Sequence, residues 1–81
     1  MPQQNSSTFG DWLRARRRAL DVTQKELAVR VECAEITIRK IEANHLRPSK
    51  YLARLMLERL DVPRGEQEQL VQLARRNHHE K

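Results

Sequence analysis

The residues whose types suit chemistry lie between Gln24 and Arg47, and the chemistry open to them is non-covalent. Lys25, Arg39, Lys40, His45 and Arg47 offer cationic or titratable donors, and Gln24 and Asn44 offer side-chain amides. Glu35 is an acceptor set among them, and Ile36 beside it is apolar. Such donors suit an anionic partner. Ammonium and guanidinium groups release counterions from phosphates, and guanidinium or amide groups also read base edges. Other chemistries lack their residues. There is no Gly-rich phosphate loop, no carboxylate cluster and no Ser or Cys with a placed His, so no enzyme is expected. Cys33 is the single cysteine, which excludes an intramolecular disulfide and gives no sign of an oxidising compartment. No cysteine or histidine stands near it at metal-ligand spacing. His78 and His79 are adjacent and diverge on any regular backbone. No metal and no cofactor are expected.

Size and charge bound the rest. The chain has 81 residues, enough for one domain with a modest core. Sixteen Lys and Arg against 11 Asp and Glu give a net charge of +5. That balance favours nucleic acid as partner, although a basic but merely soluble protein would show it too. Two glycines, three prolines and 4% aromatic residues argue against a turn-rich β fold. No apolar run approaches the roughly 20 residues of a membrane span, so no membrane partner is expected. Residues 1–7 lack the basic-then-apolar pattern of a signal peptide, and a cytoplasmic location is expected by default.

The elements that must position these donors are helices. Thr23 and Glu26 make a capping-box pattern, and Leu27, Ala28 and Val31 follow on one face. A second helix is expected over about 34–43. At 100° per residue, Ala34, Ile38 and Ile41 fall on its inner side, and Ile36, Arg39, Lys40 and Ala43 on its outer side. A capped short helix followed at once by a helix with an apolar inner and a basic outer face is the layout of a helix-turn-helix. Upstream, Thr8 can cap a first helix with Asp11 in its first turn. Phe9, Leu13 and Leu20 share its apolar stripe, and Arg17 falls between the two leucines on that stripe. A charge aimed inward needs a partner, and Glu42, four residues after Ile38, leans inward from the other side. Arg14, Arg16 and Arg18 lie off the stripe and read as a solvated basic face.

Downstream, Asn44 suits a C-terminal cap and Pro48 opens a fourth helix, with Ser49 near its first turn. Tyr51, Leu52, Leu55, Met56, Leu57 and Leu60 make that helix apolar over most of its circumference, as in a buried central helix. Asp61-Val62-Pro63 breaks it. A fifth helix is expected from about Arg64 to Arg76, with Leu70, Leu73 and Ala74 on one face and Val71 beside it. The whole is expected to be an all-α, compact five-helix domain over 8–76, between a disordered arm at 1–7 and a polar tail at 77–81.

The chain resembles the Cro/C1-type (Xre-type) helix-turn-helix family, which has the lambda-repressor-like fold. The resemblance rests on Leu13, Arg17, Leu20, Thr23-Gln24, Glu26-Leu27-Ala28, Thr37-Ile38, Ile41-Glu42 and Arg47-Pro48-Ser49, in the family's order and spacing. It implies a double-stranded DNA-binding domain of a transcriptional regulator. It implies that Gln24 holds a phosphate, that Glu35, Ile36, Arg39 and Lys40 occupy base-reading positions, and that Arg17 pairs with Glu42. Lys25, Asn44, His45 and Arg47, at the ends of the two-helix unit, are expected to touch phosphates as well. Members often bind paired half-sites as homodimers, and many carry a C-terminal effector domain in a longer protein. No coiled-coil seam is present, and both arrangements stay open. The competing reading is a protein-interaction module, such as an antitoxin or adaptor, using the same fold. The sequence departs from the family at the turn. Glu32 stands where a left-handed glycine is usual, and Ala34 where Ser or Thr would cap. Either the turn takes another shape or the domain gives up stability there.

Overall fold

The computed structural model describes residues 8–76. The arm at 1–7 and the tail at 77–81, with the adjacent histidines, lie outside the described residues. Within them the elements are α1 (Phe9–Ala19), α2 (Gln24–Arg30), α3 (Glu35–Glu42), α4 (Lys50–Arg59) and α5 (Arg64–Arg76), and no strand is present.

Local chemistry accounts for most helix starts. The Thr8 hydroxyl accepts from Asp11 N–H at 3.1 Å and opens α1. At α2 the capping box is complete: Glu26 N–H donates to Thr23 Oγ1 at 3.0 Å, and Thr23 N–H donates to Glu26 Oε1 at 2.8 Å. The Thr23 amide holds the Glu26 carboxyl below its ordinary pKa. Ser49 Oγ accepts from Leu52 N–H at 3.1 Å and caps α4, so Pro48 stands before that helix and does not begin it. α3 has no such cap. Its N-cap is Ala34, which makes no side-chain cap bond.

The helix ends share one device. After α1, α2, α3 and α4 the chain enters the left-handed region at Asp21, Glu32, Asn44 and Asp61, with φ of 60°, 58°, 64° and 59°. Each turn closes with the paired bonds of a Schellman motif. In the first, Val22 N–H donates to Arg17 O and Asp21 N–H to Arg18 O, both at 3.0 Å. Neither glycine is used for this. Asp and Asn tolerate the left-handed region through their short polar side chains, whereas Glu32 has no such excuse and carries strain of about 1–2 kcal/mol.

Of the two shapes open to the turn, the chain keeps the left-handed one and bears its cost. Both departures are therefore repairable. Glu32→Gly should raise the urea midpoint at unchanged slope by the equivalent of about 0.5–1 kcal/mol, the relieved strain less the entropy glycine adds to the unfolded chain. Ala34→Ser should add about 1 kcal/mol by capping α3. A lowered midpoint for Glu32→Gly would mean the turn is unstrained.

The core joins Phe9 and Leu13 of α1, Leu27 and Ala28 of α2, Ile38 and Ile41 of α3, Met56 and Leu57 of α4, and Val71 and Ala74 of α5. α2 packs on α3 and α4, α4 on α5, and α1 on α3 and α5. Several expectations need correction. α3 runs over Glu35–Glu42, one residue shorter at each end than 34–43. Ala34 is exposed. As the N-cap it has extended backbone (φ −77°, ψ 149°), so helical spacing does not govern where it points. Tyr51 is 76% exposed, because α4 is covered on fewer sides than its composition suggests. On α5 the buried pair is Val71 and Ala74, with Leu70 and Leu73 at the margins.

Candidate nucleic-acid interface

The outer face of α3 is free because its inner face is pinned. Ile38 and Ile41 are buried, while Arg39 and Lys40 are exposed and Ile36 is 48% exposed. Arg39 Nη2 lies 3.5 Å from Glu35 Oε2, one turn away, in a half-exposed ion pair. That pair adds little stability, but it holds the Glu35 carboxylate along the helix.

Glu42 fastens α3 to its neighbours. It is 2% exposed and accepts two bonds from Arg17: Nε to Oε2 at 2.6 Å and Nη2 to Oε1 at 3.0 Å. Arg17 Nη1 donates to Val22 O at 2.9 Å, in the turn that ends α1. This two-pronged geometry is the one guanidinium offers a carboxylate. The hydrogen bonds that Arg17 donates to Glu42 hold the Arg17 pKa above its ordinary value, against the opposing effect of burial. Gln24 Nε2 also donates to Glu42 Oε1 at 3.0 Å, and Arg14 Nε lies 3.8 Å from the same oxygen. One carboxylate thus ties together α1, the start of α2 and the end of α3.

A second fastening sits at the C-terminal end of α3. Gly10 N–H, one of the donors that α1 leaves without a helical acceptor, donates to Asn44 Oδ1 at 3.3 Å. A side chain at Gly10 would place its Cβ 2.6 Å from Ile41 O and 2.7 Å from Glu42 O. The backbones of α1 and α3 meet there at glycine distance.

Two adjoining grooves open on this side, sharing Arg14, Gln24 and Glu42. The first, about 450 Å³, is lined in addition by Arg17, Arg18, Thr23, Lys25 and Glu35. The second, about 440 Å³, is lined by Ile36, Arg39, Lys40, Ala43 and His45. The grooves therefore gather Gln24, Lys25, Glu35, Ile36, Arg39, Lys40 and His45. They do not gather Asn44, whose side chain is turned to Gly10, or Arg47. Arg47 Nη1 donates to Arg75 O at 2.7 Å, and Arg75 Nη1 returns a bond to Pro48 O at 2.9 Å, strapping the loop after α3 to the end of α5.

The arginines of α1 also separate. Arg16 is not a solvated charge. It is partly buried and donates to Leu60 O and Asp61 O at 3.0 Å, on carbonyls that end α4. Arg14 lines both grooves, and sequence reasoning missed that role. The available signal was its spacing, three residues before the inward-facing Arg17.

Among the described residues no group of three or more His, Cys, Asp or Glu could hold a metal ion. Cys33 is free and half-buried, and burial raises its thiol pKa. No helix among the described residues is long and apolar enough to cross a membrane. In comparisons with known proteins, a family model described as helix-turn-helix (HTH_3) matches residues 13–67. No curated protein and no solved structure matches the chain.

Proposed function

The chain belongs to the HTH_3 helix-turn-helix family, a Cro/C1-type DNA-binding family, and from that premise we propose that it is the sequence-specific, duplex-reading domain of a transcriptional regulator. One observation carries the finer reading: α3 presents Arg39, Lys40 and Ile36 outward while Ile38, Ile41 and Glu42 lock its other side. In this reading α3 enters the major groove. Arg39 or Lys40 donates to guanine O6 and N7, and Ile36 packs on a thymine methyl. Gln24 is half-committed. One amide hydrogen goes to Glu42, and the other remains for a phosphate, with the buried pair fixing where that donor points. Lys25 and His45 flank the reading residues and supply sequence-independent attraction. Glu35 holds Arg39 until a base edge competes for it.

The test is a selection of bound sites from random duplexes, followed by titration of the preferred duplex. Arg39→Ala should lose about 1–3 kcal/mol on that site and relax preference at one base pair. Lys40→Ala should show this pattern instead if Lys40 makes the contact. Amide shifts confined to α4 and α5, with 24–45 silent, would sink the reading. The interaction-module reading draws on Val29 and Ile36, which are 70% and 48% exposed. It calls for salt-insensitive binding to a protein, whereas binding to duplex DNA weakens steeply as salt rises.

A further inference from the structure

Two arginines brace the loop that leaves α3. Arg47 Nη1 donates to Arg75 O at 2.7 Å, taking up one of the carbonyls that the last turn of α5 leaves without a helical donor. Arg75 Nη1 donates in return to Pro48 O at 2.9 Å. Pro48 is buried, and Ser49 after it caps α4. The loop lies close on the core there: Leu46, Arg47 and Pro48 line a crevice of about 10 Å³ with Phe9, Ile41 and Ala74. α5 packs chiefly on α4 and α1, so this exchange of bonds is how its last turn reaches the loop. The match to the helix-turn-helix family ends at residue 67, before Arg75.

We infer that Arg75 is a positioning residue for DNA binding, which acts through this loop on His45. The inference rests on the DNA-reading function above, in which His45 flanks the reading residues. His45 stands on a stretch held at both ends. On one side its own N–H donates to Lys40 O at 2.8 Å, and Asn44 Oδ1 before it accepts from Gly10 N–H. On the other side, beyond Leu46, come the bonds of Arg47 and Arg75. The stretch belongs to no helix, so no ladder of backbone bonds holds it between these points. Fixing one residue's backbone costs roughly a factor of five to thirty in an equilibrium constant. With the brace in place that cost is met in folding. Without it the cost falls on DNA binding, as lost preorganisation. Arg75 itself lines the groove between α4 and α5 with Lys50 and Glu68, and neither of the grooves beside α3. It therefore acts on DNA only through another residue.

A double-mutant cycle read on binding to the selected duplex tests this, at a temperature where circular dichroism shows every variant folded. Arg75→Met removes the donor to Pro48 O. It should weaken binding about fivefold, and by no more than His45→Ala does alone. The factor should be the same on preferred and scrambled duplexes, because His45 reads no base. Arg75→Lys can still donate to Pro48 O and should recover most of the loss. In a His45→Ala background Arg75→Met should cost little more, since the residue it positions is gone. In a Lys25→Ala background, at the far end of the two-helix unit, it should keep its full factor. Arg47→Met cuts the other half of the brace and should show the same dependence on His45, so it runs the cycle if Arg75→Met does not fold. A merely structural role lowers the melting temperature and gives the same factor with or without His45; that result would overturn the assignment. So would an affinity unchanged by Arg75→Met or by His45→Ala while Arg39→Ala still relaxes base preference, in which case the reading role survives alone. If no duplex binds, the reading and the positioning fall together.

Discussion

Arg17→Met is expected to cost about 3–5 kcal/mol, the penalty for leaving one member of a buried ion pair without its partner. A small domain has a total stability of about 5–15 kcal/mol. The melting temperature should therefore drop by about 12–40 °C, taking about 4–8 °C per kcal/mol for a domain this size. Glu42 is the more enclosed partner, its side chain 1% exposed against 10% for Arg17. Without Arg17 its carboxylate keeps only the Gln24 amide and the longer approach of Arg14. Glu42→Leu should be costly as well, because it strands the guanidinium with Val22 O alone. Arg17→Met/Glu42→Leu should cost less than the sum of the singles. It should not restore full stability, because Val22 O then loses its donor and Gln24 its acceptor. Thermal melts of the four proteins form the cycle. Single variants that melt like the parent, with no coupling between them, would show that this pair does not hold α1 to α3.

Why that pair was visible in the sequence, when others were not, is a matter of range. Arg17 is a charge inside a stripe of Phe9, Leu13 and Leu20, so helical periodicity alone marks it as anomalous. Thr8, and Thr23 with Glu26, act within one turn of their own positions, and their caps follow from residue type and spacing. The outward face of Ile36, Arg39 and Lys40 follows from periodicity in the same way. Ala34 escapes that rule because, as the N-cap, it has extended backbone to which 100° per residue does not apply.

The rest depends on partners distant in the chain. Arg16 reaches Leu60 O, Arg47 reaches Arg75 O, and the Gln24 amide reaches Glu42. Arginine bound to a carbonyl leaves no pattern in a sequence, because every residue offers that acceptor. Hence Arg14, Arg16 and Arg18 look alike as residues, yet Arg16 is used in holding α4 and the other two face the groove. Arg47 is expected to touch phosphate from its place at the end of the two-helix unit, but in the fold its guanidinium is engaged with Arg75 O of α5.

Gly10 left no signal of that kind either, and it carries the other large effect. Gly10→Ala should destabilise the domain by about 1–3 kcal/mol or more, although alanine is intrinsically the better helix former. The added Cβ would lie 2.6 Å from Ile41 O, 2.7 Å from Glu42 O and 2.7 Å from Asn44 Oδ1. The Asn44 side chain can turn away, at the loss of its bond from Gly10 N–H. The two carbonyls belong to the last turn of α3 and move only if α1 and α3 separate. Separation at this end also strains the Arg17–Glu42 pair, which joins the same two helices. Gly65 supplies the matched comparison. It too is the second residue of its helix, and a Cβ there meets nothing within 4 Å. Gly65→Ala should therefore stabilise by up to about 1 kcal/mol, through a less flexible unfolded chain. Urea melts of the two variants should move in opposite directions from the parent. If Gly10→Ala is as stable as the parent or more so, the close approach of α1 to the carbonyl end of α3 is wrong. The Asn44–Gly10 fastening, which the positioning of α3 draws on, would then be wrong with it.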